Sequence, residues 1–229
     1  MEARIAIAIT ERNRPEVFRI NIEYIKRFQP PNSRIFVVDD ASDTPLPEAD
    51  FRFEQRAGIP RAKNKCLELA MRWGADHIFL FDSDARPIVK DWHKHYIEHP
   101  EPHLMYIFTS YGGQKRLVKE VYRDDKTVAY DHVRGCMLYF ERRCIEAVGG
   151  FDPIFGHGYF EHRNLTERIH NAGLTTHLIM DVPNSSELIH SMDEWEETTS
   201  TFTPQEHARL LRINRRHNRT RKRGYVAYE

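Results

Sequence analysis

Several features that mark particular protein classes are scarce in this sequence, and each shortage excludes something. Only three cysteines occur in 229 residues, Cys66, Cys136 and Cys144, and none belongs to a C-x-x-C pair. So few and scattered thiols exclude a disulfide scaffold or a cysteine-rich zinc site, and fit apolar packing in a reducing compartment. An excess of one charge is also lacking, because 34 Lys and Arg balance 34 Asp and Glu. The chain as a whole therefore carries no signal for nucleic acid or an anionic membrane as its main partner. No apolar run reaches the ~20 residues of a membrane span. The apolar segment after Met1-Glu2-Ala3-Arg4 is too short for a signal-peptide core. Together these absences predict a cytoplasmic chain with no membrane span. Internal repeats and low-complexity linkers are missing too, and the length suits a single domain.

What the sequence does contain is a series of short apolar runs alternating with helical patterns. Ile5-Ala6-Ile7-Ala8-Ile9, Ile35-Phe36-Val37-Val38 and Ile78-Phe79-Leu80-Phe81 read as strands covered on both faces. Between them, Phe18, Ile22 and Ile25 form one face of a helix whose start resembles a capping box at Asn13 and Glu16. Ala62, Cys66, Leu69, Ala70 and Trp73 form a helical face that starts at Pro60 and ends at Gly74. Strands in alternation with helices predict an α/β protein with a mostly parallel sheet. Further strands are expected over Leu104–Phe108, Cys136–Phe140 and Thr176–Met180, with a hairpin of Leu117–Tyr122 and Thr127–Tyr130. A helix is expected from Phe160 to Ala172, stopped by Gly173. His93, His95, His99 and His103 are expected on the surface, because Pro100 and Pro102 break any helix that would align them.

Two of the buried runs end in acids, Asp39-Asp40 after Val38 and Asp82-Ser83-Asp84 after Phe81. Ligands of open α/β sheets bind beyond the carboxyl ends of the strands, where carboxylates need not enter the core. Two acids flanking a small serine can approach one hard cation such as Mg²⁺ or Mn²⁺, whose shell phosphate oxygens complete. Taken alone, Asp-x-Asp is also a common solvated turn. The buried strand before it and the second acidic strand end favour a site.

With these segments in order, the chain resembles family-2 glycosyltransferases of the GT-A fold. The resemblance rests on Thr10-Glu11-Arg12-Asn13-Arg14-Pro15, Val37-Val38-Asp39-Asp40-Ala41-Ser42, Gly58-Ile59-Pro60-Arg61-Ala62-Lys63-Asn64 and Asp82-Ser83-Asp84. It continues through Gly149-Gly150-Phe151-Asp152 and the Glu161 segment, closed by Arg168 and Gly173, to about His190. It implies a GT-A domain over residues 1–203, Rossmann-like, with a mixed and mostly parallel sheet flanked by helices. It also implies a nucleotide-sugar donor, a UDP-sugar first, and transfer to the hydroxyl of a carbohydrate or other acceptor. By resemblance Thr10 and Arg12 line the nucleotide site, and Asp39 or Asp40 binds the uracil or ribose. Arg61 and Asn64 lie over the nucleotide, and a helix start at Pro60 would favour its phosphates. Asp82 and Ser83 would reach the ribose or metal, Asp84 the metal, and His190 is a candidate third ligand.

The acceptor block departs from the family pattern, with Glu161-His162 where inverting members carry Glu-Asp. Glu161 or His162 is then the candidate base for the acceptor hydroxyl. The block is also similar to that of polypeptide N-acetylgalactosaminyltransferases, so retaining transfer stays open. A sugar nucleotidyltransferase is disfavoured, since Thr10 to Pro15 contains no glycine to wrap a triphosphate. Residues 204–229 form a separate basic end. Thr203-Pro204-Gln205-Glu206 starts a helix, and eight of the fifteen residues from Arg209 to Arg223 are Arg or Lys. With little apolar surface, this end is expected to fray into a mobile tail. It is a candidate contact for an anionic acceptor, or for nucleic acid.

Overall fold

Ile5, Ala6, Ile7, Ala8 and Ile9 are all buried in the computed structural model, which describes residues 2–111, 114, 115, 118–195, 197 and 203–228. Alternation along this strand, β1 (Ile5–Glu11), decides what each face can accept. The isoleucines join α1 (Pro15–Arg27) through Phe18, Ile22 and Ile25. The alanines face the opposite way and join Ala62, Cys66 and Ala70 of α2 (Ile59–Trp73). Small residues on that face let α2 lie close to the sheet, so the two helices cover the same strand from its two sides.

The rest of the chain follows in order. β2 (Ser33–Asp39) and β3 (Phe51–Arg52) precede α2, and β4 (His77–Asp82) and β5 (Ala85–Pro87) follow it. Next come α3 (Lys94–Ile97), β6 (His103–Met105), β7 (Ser110–Tyr111), β8 (Gln114–Lys115), β9 (Glu120–Arg123) and β10 (Val128–Tyr130). The last elements are β11 (Met137–Glu141), α4 (Arg142–Val148), α5 (Glu161–Asn171), β12 (Met180–Asp181), β13 (Ile189–Ser191) and α6 (Pro204–Thr220). The main sheet has six strands in the order β3-β2-β1-β4-β11-β6. β1 pairs in parallel with both β2 and β4, whereas β11 runs antiparallel to its neighbours β4 and β6. This is the mixed, mostly parallel sheet expected from the sequence.

Several local expectations give way to tertiary contacts. Asn13 does not cap α1; its backbone is left-handed at φ 55, and its side-chain oxygen accepts the Asp43 N–H at 2.7 Å. β6 stops at Met105 and β12 occupies only Met180–Asp181, so both strands are shorter than their apolar runs. β9 and β10 form the hairpin, but Leu117 lies outside the described residues. Of the four histidines expected on the surface, only His95 is exposed, while His93, His99 and His103 are buried. His103 bridges the Tyr139 carbonyl and the Thr166 hydroxyl at 2.9 Å each, and burial holds its pKa down to about 4. The basic end is no loose tail. Asn214 and Asn218 of α6 are buried, and the chain then turns so that Gly149 bridges Val226 and Tyr228 packs on the core.

Candidate active site

β1 leads through α1 to β2 on one side, while β4 flanks its other side. The crevice beyond β1 and β4 is thus the topological switch point of the sheet, where an α/β protein binds its ligand. Parallel register places Thr10 opposite Asp82 there. An open cleft occupies the position. Thr10, Glu11, Arg12, Arg14, Asp40, Arg56, Asp82 and Ser83 line it.

Asp39 and Asp40, adjacent in sequence, do different things. Asp39 is fully buried, accepts the Ser42 and Leu46 N–H groups at 2.8 and 3.3 Å, and pairs with Arg52 at 3.1 Å. Burial raises its pKa, but these bonds outweigh burial and hold it below the usual value. Asp40 lines the cleft and accepts the Ala57 and Gly58 N–H groups at 2.6 and 3.0 Å. Those bonds seat the chain just before α2, where Gly58 has φ 90 and a Cβ would collide with the Gly156 carbonyl. Of the two, Asp40 is placed to meet a ligand.

The Asp82-Ser83-Asp84 turn is already engaged by two cations of the chain. Asp84 pairs with Arg14 at 2.9 Å, and Asp82 pairs with Lys63 at 2.6 Å. Burial pushes the Asp84 carboxyl up, the Arg14 guanidinium draws it down, and Asp82 raises it again. Asp84 Oδ1 is buried with no hydrogen-bond partner among the described residues. One unsatisfied carboxylate oxygen beside a second, partly open carboxylate fits a hard divalent cation whose other ligands come from a diphosphate. His190 does not join them. It lies on β13 paired across from Arg86, binds Glu197 at 3.0 Å and stacks on Trp195. Among the described residues no group of three metal-ligating side chains converges.

Lys63 ties this turn to the acceptor block. Its side chain is wholly buried, and Nζ meets Asp82, the Gly135 carbonyl at 3.2 Å and His162 Nε2 at 2.7 Å. An ammonium has no acceptor, so His162 Nε2 must accept and the ring proton sits on Nδ1, 3.4 Å from Glu161 Oε1. Burial and the Lys63 charge hold His162 well below its ordinary pKa, hence neutral. Burial pushes Glu161 up to about 7, with Lys63 opposing, and its Oε2 has no hydrogen-bond partner among the described residues. One buried oxygen of Glu161 therefore lacks a hydrogen-bond partner among the described residues, while His162 is held on both sides.

Two expected residues lie elsewhere. Arg61 is exposed on α2 and does not line the cleft, where Arg56 stands instead. Asn64 is buried and exchanges hydrogen bonds with both backbone groups of Phe151, at 2.9 and 2.7 Å, so it braces α2 against the Gly149-Gly150 turn. Conversely, Glu11, Arg14, Arg56 and Lys63 escaped selection from the sequence. Lys63 left a signal, because it shares the face of α2 that carries Cys66, Leu67 and Ala70. A lysine on a buried helical face is seldom there without a partner.

No protein-family profile matches the sequence. The chain is 28% identical over 193 residues to an uncharacterized glycosyltransferase of Acanthamoeba polyphaga mimivirus, a match covering 77% of this chain and 74% of the relative. Among solved structures, the fold is similar to Staphylococcus aureus TarS in complex with UDP (TM-score 0.62, 12% identity, 92% of this chain and 64% of that one). It is equally similar to GalNAc-T7 with UDP, GalNAc and Mn²⁺ (0.62, 12%, 92% and 48%). A mannosyltransferase from Pyrobaculum calidifontis, bound to GDP-Man and Mn²⁺, is more distant in shape (0.53, 14%, 74% and 52%). The chain spans about half to two thirds of the length of these solved proteins. Sheet order, the cleft at the switch point and these likenesses define the class of fold: the chain has the GT-A fold, and the curated relative it resembles is a glycosyltransferase.

Proposed function

We propose that this chain transfers a sugar from a nucleotide-sugar, a UDP-sugar, to an acceptor hydroxyl, with inversion at the sugar carbon. The observation that carries the reading is the cleft at the ends of β1 and β4, where Asp82 opens among Arg12, Arg14 and Arg56. Three guanidiniums suit a diphosphate, and Arg12 Nε is buried with no hydrogen-bond partner among the described residues. Thr10 and Asp40 face the same space and are proposed to hold the nucleoside, and Ser83 lines it with them. Asp82 and the open oxygen of Asp84 would hold Mn²⁺ or Mg²⁺, which when bound neutralises charge on the departing diphosphate.

Glu161 is proposed as the base. Its carboxylate takes the proton of the acceptor hydroxyl as that oxygen bonds to the sugar carbon, and UDP leaves with the electrons of the broken C–O bond. His162 positions Glu161 and Lys63 positions His162, which links the donor carboxylates to the base. Incubation with UDP-sugars, Mn²⁺ and a panel of hydroxyl acceptors tests the reading. Release of UDP and an inverted anomeric linkage is expected. Release of pyrophosphate would make the protein a nucleotidyltransferase, and a retained anomer would remove Glu161 from the role of base.

A further inference from the structure

The eight basic residues between Arg209 and Arg223 occur without a single acid among them. The structure divides six of them into two groups. Arg221 and Lys222 are committed inward, to Asp152 at 2.5 Å and to Glu167 at 3.2 Å. Arg212, Arg215, Arg216 and Arg219 are exposed and line one groove along α6. Their spacing of three, four and seven residues puts them on one helical face, turned away from the docked Asn214 and Asn218. None has a hydrogen bond or ion pair among the described residues. The acids nearest that helix are spent elsewhere: Glu206 caps it through Thr203, and Glu167 and Asp152 hold Asn218 and Arg221 from beneath.

Four uncompensated guanidiniums repel one another and tend to fray a helix, so their concentration in a chain of zero net charge asks for a ligand. Arginine rather than lysine presents a planar fork that matches phosphate oxygens two at a time. From Arg212 to Arg219 the stripe extends about 10 Å along the axis, enough to meet several charges of a polymer but more than one phosphate needs. Its location supplies the rest. Asn214 donates to the carbonyls of Phe155 and Gly158 at 2.9 and 2.6 Å, and His207 stacks on Tyr159 with ring centres 4.7 Å apart. The helix is thereby fixed to the segment that leads into Glu161.

We propose that the arginine stripe of α6, fastened to the Phe155–Glu161 segment, binds a polyanionic acceptor whose charges are phosphodiesters along a glycan chain. This assignment rests on the glycosyltransferase reading above. The polymer lies along the helix while one of its hydroxyls reaches Glu161, so the stripe raises acceptor affinity and takes no part in bond making.

Fluorescently labelled inorganic polyphosphate tests the surface with the full chain. Binding should weaken with salt, the logarithm of affinity falling with a slope near 3 for four arginines at ~0.7–0.9 each. Arg212→Gln, Arg215→Gln, Arg216→Gln and Arg219→Gln together should cost at least 100-fold in affinity and flatten that slope. The melting temperature of the Gln variant should be no lower than that of the unsubstituted protein, stabilisation by UDP with Mn²⁺ should be kept, and a fourfold Arg→Lys variant should recover part of the binding. In transfer assays, a phosphodiester-linked glycan should show KM raised at least tenfold in the Gln variant with kcat kept, whereas a neutral glycan should be unaffected. Equal polyphosphate binding by the Gln variant overturns the site. Single-stranded RNA bound through the stripe, with phosphodiester glycan neither bound nor glycosylated, overturns the acceptor assignment. Absence of UDP release with any donor refutes the enzymatic reading, while the polyphosphate titration still decides whether the stripe is a site.

Discussion

Lys63 Nζ stands 2.6 Å from Asp82 Oδ1 and 2.7 Å from His162 Nε2, so a single buried ammonium joins the donor carboxylates to the acceptor block. A bond to each side predicts that the lysine matters more for turnover than for stability. In Lys63→Met the Asp82 carboxylate, 30% exposed, regains water, and the costly buried ammonium is gone. What is lost is one donor to His162 and one to the Gly135 carbonyl, together on the order of 1–3 kcal/mol and partly offset by that removal. We expect unfolding free energy to move by less than ~2 kcal/mol while kcat falls at least 100-fold. Lys63→Arg should restore the charge without the geometry and recover little. Equal losses of fold and turnover, measured by urea unfolding beside the assay, would reduce Lys63 to a structural residue.

Glu161 carries a pH dependence of definite sign. Burial lifts its pKa from 4.5 to about 7, so the folded chain favours the protonated form. A base must be ionised, and kcat should therefore rise with pH through about 7 and level off above it. Stability runs the other way. The contribution of the neutral acid is fully present below about 4.5 and is lost as pH rises through about 7. Glu161→Gln, neutral at every pH, should abolish turnover with donor affinity kept, and should stabilise the fold above pH 8 by up to ~3 kcal/mol. A variant no more stable than the parent at that pH contradicts the buried, raised carboxyl.

Most of the frame that carries this site was legible in the sequence, and the reasons are local. Alternating Ile and Ala in β1, the Gly74 stop of α2 and the Thr203–Glu206 capping box each depend on neighbours a few residues away. The misreadings came from contacts distant in sequence. Asn13 looked like a helix cap but answers to Ser42 and Asp43, and His103 looked exposed but answers to Thr166. The same holds within the site. Asp82 and Asp84 announced themselves by ending an apolar strand, whereas Arg14 is brought to them from the residue before α1 and Lys63 from α2.

Gly135 predicts how little room the acceptor block has. A Cβ at this position would lie 2.0 Å from His162 Nδ1, inside any permitted contact. Gly135→Ala must displace the ring or the Met137 strand, at about 1–3 kcal/mol for an overpacked site. Moving the ring breaks its contact with Lys63 and shifts Glu161. Turnover should fall by at least tenfold, with UDP and Mn²⁺ still protecting the protein from thermal unfolding. Unchanged turnover would show that the orientation of His162 is not needed.

Asp39 and Asp40 offer the most discriminating comparison, because adjacent residues of one type should fail differently. Asp39 is enclosed and satisfies Ser42, Leu46 and Arg52, and none of these contacts faces the cleft. Asp39→Ala leaves two buried N–H groups and a guanidinium without their acceptor, a loss of about 2–4 kcal/mol that lowers the melting temperature. Its carboxylate is held below the usual pKa, so that contribution is present above about 3.8 and disappears as the pH falls further. Asp40 lines the cleft while anchoring Ala57 and Gly58, so Asp40→Asn keeps an acceptor for those N–H groups and changes mainly what a ligand meets. The expected result is a fold within ~1 kcal/mol of the parent and UDP affinity reduced at least tenfold. The two should separate cleanly in one pair of measurements, thermal unfolding and UDP titration. A large loss of UDP affinity in a still-folded Asp39→Ala protein would reverse the roles assigned to the pair.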